Sequence, residues 1–139
     1  MSYLIKKKIS LLTIFTVFLA AIGQICYGGT WQIRNNSSKP LILQQMTSNT
    51  LCINAPTTVE IPPTSGAFKA VPFTISGDRQ CLYGVATANY AILLKDSGKN
   101  IGSFGYIKSP QSTTLKVSCH NLNKCSSPAN DQIIIEQTE

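Results

Sequence analysis

TWQIR, residues 30–34, sets Trp31 and Ile33 on one face of an extended chain and Gln32 and Arg34 on the other. A period of two marks a half-buried β-strand, because successive side chains of a strand point to opposite sides. The pattern returns far along the chain in STTLKVSC, residues 112–119, where Leu115, Val117 and Cys119 oppose Thr114, Lys116 and Ser118. Further candidates are PLILQQ (40–45), TLCI (50–53), TVEI (58–61), FKAVPFTI (68–75), QCLYGV (80–85), YAILLK (90–95), IGSFGYI (101–107) and QIIIEQ (132–137). Their separators, NNSSKP, IPPTSG, SGD and DSGK, are rich in turn-forming residues. No stretch combines a 3.6-residue period with helix caps. About nine or ten short strands at this spacing predict an all-β, single-domain antiparallel β-sandwich, with a small barrel as the alternative closure.

Within that frame, Tyr90 to Ile107 is the clearest hairpin, turning across Asp96, Ser97 and Gly98. Adjacent Leu93 and Leu94 point to opposite faces and so predict a central strand. Pro72 predicts an edge, since proline donates nothing to a ladder. Gly102 and Gly105 predict a bulge or a close approach of strands. GVATANYA (84–91) reads as one long bent strand or two, and SSPAND (126–131) as a loop before the last strand.

The chain starts MSYLIKKKIS, basic at Lys6, Lys7 and Lys8, and continues into an apolar run from Ile9 to Ile22. That run is shorter than the roughly 20 residues a membrane-spanning helix needs. Its order of charge, apolar stretch and small residues predicts a cleaved secretory signal peptide over residues 1–28, with an uncleaved anchor as the alternative. Small residues allow a cut after Gly23 or after Gly28. Lipidation of Cys26 is disfavoured by Ile25 before it.

Cysteine parity favours the later cut, because it leaves the even set Cys52, Cys81, Cys119 and Cys125 for an oxidising compartment, secreted or periplasmic. The domain is then residues 29–139, and its formal charge falls from +6 to +3 on loss of three lysines. Four cysteines allow three pairings. The short HNLNK loop favours Cys119 with Cys125, leaving Cys52 with Cys81. Zinc on Cys119, His120 and Cys125 is the rival, but structural zinc ligands usually come in pairs about two to four residues apart. No cofactor and no metal are expected.

His120 is the single histidine and sits beside thiols expected to be cross-linked, which argues against nucleophilic catalysis. The acids are sparse: Asp78 and Asp96 lie in turns, and only Glu60 and Glu136 fall on strands. IGSFGYI lacks the lysine and the helix of a phosphate loop. Asn35 and Asn36 begin two overlapping glycosylation acceptors, whose use depends on the host.

The candidate binding surface is aromatic. Phe104 and Tyr106 share one face of their strand, and Tyr83 and Tyr90 lie on neighbouring ones. Facing outward, with Lys108, they would make a platform for a sugar or a partner protein; facing inward they are core, the commoner fate of aromatics in a small domain. Lys95, Lys99, Lys108 and Lys116 form a basic patch only if the fold gathers them. Export and a charge of +3 argue against nucleic acid.

The expected function is therefore that of a non-catalytic binding protein with a protein or carbohydrate partner, for example an inhibitor that presents NAPTT (54–58) to a cleft. The alternative is a membrane-active effector that meets anionic lipid through the basic hairpin, Phe104 and Tyr106. A small hydrolase comes last.

Overall fold

The computed structural model describes residues 27–46, 52–64, 66–120 and 123–137. Ten strands and one helical turn follow in the order β1 (Tyr27–Asn35), β2 (Leu41–Gln45), β3 (Ile53–Asn54), β4 (Thr58–Ile61), β5 (Lys69–Ile75), α1 (Arg79–Leu82), β6 (Ala86–Leu94), β7 (Asn100–Lys108), β8 (Thr113–Cys119), β9 (Asn123–Ala129) and β10 (Gln132–Gln137). They form two five-stranded sheets, β3-β5-β1-β10-β9 and β4-β2-β6-β7-β8. The sheets do not close into a barrel. Among the described residues every strand pairing is antiparallel except that of β1 with β10.

The alternation of TWQIR translates directly into packing. Trp31 and Ile33 are fully buried, and from the facing sheet Leu41, Leu43, Tyr90, Ile92 and Phe104 meet them. Trp31 stacks on Phe73 at 4.4 Å between centroids and takes Tyr90, Phe104 and Tyr106 edge-on at 5.4–5.6 Å. Such pairings suit the negative ring face and positive ring edge. Gly29 makes the stack possible, since a Cβ there would lie 2.7 Å from Phe73 Cζ.

The predicted hairpin forms between β6 and β7. Leu94 N–H donates to the Lys99 carbonyl at 2.9 Å, and Gly98 N–H donates to the Leu94 carbonyl at 2.8 Å. β6 is one continuous strand at the centre of its sheet, with Leu94 turned to the core. At Pro72 the far side of β5 is open among the described residues, because β3 covers only Thr74 and Ile75.

Three expectations need correction. QCLYGV is not a strand: Cys81 and Leu82 N–H groups both donate to the Asp78 carbonyl at 2.9 Å, winding the single turn α1. One turn is too short to show a helical period. SSPAND is not a loop either, because Ser126 and Ala129 pair with Ile134 and Gln132 around a bulge. Pro128 is tolerated because β9 is an edge strand. Of TLCI, only Ile53 lies in a described strand.

Asn35 is also no free acceptor. Fully buried, its Nδ2 donates to the carbonyls of Lys39 (2.8 Å) and Ile61 (3.1 Å), and its Oδ1 accepts from Ser37 N–H and Oγ. The side chain satisfies a buried turn, and the exposed residue of the pair is Asn36.

Residues 1–26, with the apolar run, Cys26 and the earlier cleavage position, lie outside the described residues. β1 starts at Tyr27, and the pairs Tyr27↔Ile75 and Gly28↔Thr74 precede the later cleavage position. Among the described residues no helix is long and apolar enough to cross a membrane.

Candidate functional site

The five residues of the predicted binding surface separate. Tyr90, Phe104 and Tyr106 do share a face, but it is the inner one: they are 0%, 2% and 5% exposed and pack around Trp31. The outward aromatic platform is thereby overturned. Burying rings of this size against a tryptophan outweighs any cost of hiding their hydroxyls. Tyr90 keeps a partner, donating from its hydroxyl to the Pro56 carbonyl at 2.6 Å. Desolvation pushes its pKa up to about 12, and burial raises that of Tyr106 too.

Tyr83 and Lys108 are brought together. With Ile75, Cys81, Leu82, Ala86, Ser109 and Pro110 they line a cleft of about 240 Å³ at the end of the sandwich away from the β6–β7 turn. Ile75, Cys81 and Ala86 make its buried floor. The Cys52–Cys81 disulfide, with Cα atoms 5.3 Å apart, fastens α1 to the β3–β5 edge, and Ser76 N–H donates to the Cys52 carbonyl at 2.9 Å. Tyr83 stands at the rim of the cleft, 77% exposed.

Three further large apolar side chains are exposed: Val85 (51%) and Ile107 (43%) at this end, and Met46 (46%) farther along β6. Val85 precedes Ala86, which pairs with Lys108; Ile107 pairs with Thr87; Met46 N–H donates to the Asn89 carbonyl. Among the described residues these four are the only large apolar side chains so exposed; Tyr83, Val85 and Ile107 lie at the α1 end, and Met46 lies nearer the middle of β6. Reading the sequence missed Val85, Met46 and Ile107. Each is an apolar residue in or beside a strand, and such a position does not say which side is covered.

The lysines do not gather. Lys95 and Lys99 sit at the β6–β7 turn, where Lys95 pairs with Glu60 at 2.8 Å and Lys39 with Asp96 at 3.2 Å. The Lys39 hydrogen bond holds the Asp96 carboxyl below its usual range. Lys108 lies at the opposite end of β7, eight steps of roughly 3.4 Å from Asn100.

NAPTT does not project. Ala55 packs on the core, Pro56 is held by Tyr90, and the Thr57 carbonyl accepts from Gln45 N–H at 2.8 Å. The segment carries the chain from one sheet to the other.

His120 is exposed, its Nε2 3.0 Å from the Asn100 carbonyl, and both neighbouring thiols are spent. Among the described residues no group of three metal-binding side chains occurs. The disulfides are Cys52–Cys81 and Cys119–Cys125, the favoured set. Cys119 and Cys125 line a second, open groove of about 530 Å³ with Ser118, Asn123, Lys124, Ser126, Ile134 and Glu136. Gly102 permits this seam, because a Cβ there would collide with the Ser118 carbonyl and lie 2.8 Å from Cys119 Sγ.

The chain matches no protein-family model, no curated protein and no solved structure.

Proposed function

We propose that this protein is an exported, non-catalytic binding domain that holds a protein partner at its α1 end. The observation that carries the reading is Tyr83, 77% exposed on the lining of one small apolar cleft, with Val85 just before β6 and Ile107 on the outer face of β7 also exposed at this end. Exposed apolar clusters around a pocket are the usual ground for an anchoring side chain of a partner. The floor of Ile75, Cys81 and Ala86 suits an aliphatic or aromatic side chain better than a sugar, whose hydroxyls it leaves unpaired. Lys108 and Ser109 on the wall supply the few polar groups that fix orientation. Export is supported by the basic and apolar amino terminus and by two disulfides.

A photo-crosslinking residue placed at position 83 in the exported protein tests this, with position 74 on the outer face of β5 as control. Discrete protein adducts at 83 that vanish with Ile107→Asp are expected. Equal labelling at 83 and 74 overturns the reading, and capture by anionic vesicles in place of protein adducts moves the α1 end to the membrane-active alternative.

A further inference from the structure

The two disulfides occupy opposite environments. Cys52 and Cys81 are each 6% exposed within the core, with Cys81 at the floor of the α1-end cleft, whereas Cys119 and Cys125 pack against the edge of the core, are half-buried and form part of the wall of the open groove along β8 and β9. We infer that Cys119–Cys125 is the preferred site of thiol–disulfide exchange on the folded protein, open to a low-molecular-weight thiol that enters this groove, while Cys52–Cys81, reached only at the buried floor of the α1-end cleft, exchanges more slowly.

Access is the first reason. Exchange requires a thiolate to approach a disulfide sulfur, so a bond in the core reacts only when the surrounding structure opens, while one on a groove wall reacts directly. The second is that the pairing of the strands around it does not depend on the bond. Cys119 and Cys125 are six positions apart on consecutive strands, already joined by the chain between them. β8 is held independently by β7 from Gly102↔Cys119 to Lys108↔Thr113, and β9 by β10. Opening the bond leaves both ladders in place and two thiols facing a groove. Cys52 and Cys81, 29 positions apart, instead tie α1 to a two-residue strand with little else to hold it.

The groove wall also carries Lys124 and its cross-strand neighbour Glu136, one charge of each sign, on the face of β9 that alternates with that of Cys125. In the exchange, the incoming thiolate attacks one Sγ, the S–S bond breaks, and the other cysteine departs as thiolate and takes a proton from water. Attack by a second thiol on the mixed disulfide releases the first cysteine. Together Cys119 and Cys125 gain two electrons and two protons, and two external thiols become one disulfide.

The test titrates the oxidised exported protein with reduced glutathione, quenches with an alkylating reagent and maps the label by mass spectrometry, while Trp31 fluorescence reports the fold. Labelling of Cys119 and Cys125 at least about tenfold faster than of Cys52 and Cys81, with unchanged Trp31 emission, is expected. Simultaneous labelling of all four, earlier labelling of Cys52 and Cys81, or an emission change that accompanies the first pair overturns the inference. Cys119→Ser, which leaves the Cys125 thiol, should take up one glutathione from its oxidised form without losing the native Trp31 signal; refusal to form that adduct in the folded variant also overturns it. The double variant Cys119→Ser with Cys125→Ser should keep the same fluorescence, and its failure to fold would show that the bond is structural.

Discussion

Trp31, Phe73, Tyr90, Phe104 and Tyr106 stack on one another between the sheets, whereas Tyr83, just past the turn α1, stands in solvent above a cleft. Tyr90, Phe104 and Tyr106 belong to paired strands, and a ladder dictates which way each side chain points. Tyr83 follows a helical turn, so no strand register governs it, and the nearby disulfide fixes the turn instead. An aromatic side chain in this domain is thus committed either to stability or to the surface by its place in the ladder, and the two groups should respond to substitution in opposite ways.

The largest effect belongs to the inner group. Phe104→Ala should cost about 3–5 kcal/mol, read as a fall in the urea midpoint by Trp31 fluorescence, because it empties a site between Trp31 and Tyr90. A loss under about 1 kcal/mol would show that the stack is not what holds the sheets together.

Next comes the anchor of the outer residue. Removing Cys52–Cys81 by paired alanines should cost about 3–4 kcal/mol by chain entropy, against about 2 kcal/mol for the shorter Cys119–Cys125 loop. Only the first should also reduce crosslinking from position 83, since only it holds α1. Equal losses of stability would break the distinction between the two bonds.

Tyr90→Phe is smaller, about 1 kcal/mol for one hydrogen bond to the Pro56 carbonyl. It also bears on alkaline stability. The pKa of Tyr90 is raised from 10.0 to about 12, so the neutral form is the one the fold favours. Its contribution is complete below pH 10 and is lost as the pH climbs toward 12. Denaturation between those values should therefore be delayed in Tyr90→Phe, with the raised Tyr106 accounting for what remains.

Tyr83→Ala closes the series: a stability change within about 0.5 kcal/mol, as for other exposed sites, together with loss of partner binding at the α1 end. A large drop in stability would place Tyr83 with the inner group after all.

Much of this architecture can be read in the chain. Alternation assigns Trp31 with Ile33 and Leu115 with Cys119 to shared faces, Pro72 lies where β5 is open, and Gly102 marks a close approach. The site is harder, for a physical reason. A period of two says which residues share a face but not which face is covered. Phe104 and Tyr106 are therefore legible as a pair, while their burial depends on Trp31 from a strand some seventy positions earlier. α1 hides because four residues cannot display a helical repeat, and Pro128 masks a strand that tolerates it only by lying at an edge. The exposed apolar side chains at the α1 end combine Ile107, placed by the register of β7, with Tyr83 and Val85, placed by the turn that leads into β6.

The parallel pairing of β1 with β10 sets the order in which the molecule can be made. Gln32 lies beside Gln132, so the first described strand, at the middle of its sheet, waits 132 − 32 = 100 positions for its neighbour. Contacts that distant in sequence are slow to form, because the intervening chain must be ordered before they reward it. Ile133 and Ile135, fully buried against the rest of the core, stand on that distant strand. The place beside β1 in the middle of its sheet therefore stays open until β10 has been made, so this sheet closes later than the β6–β7 hairpin, whose strands are neighbours in sequence.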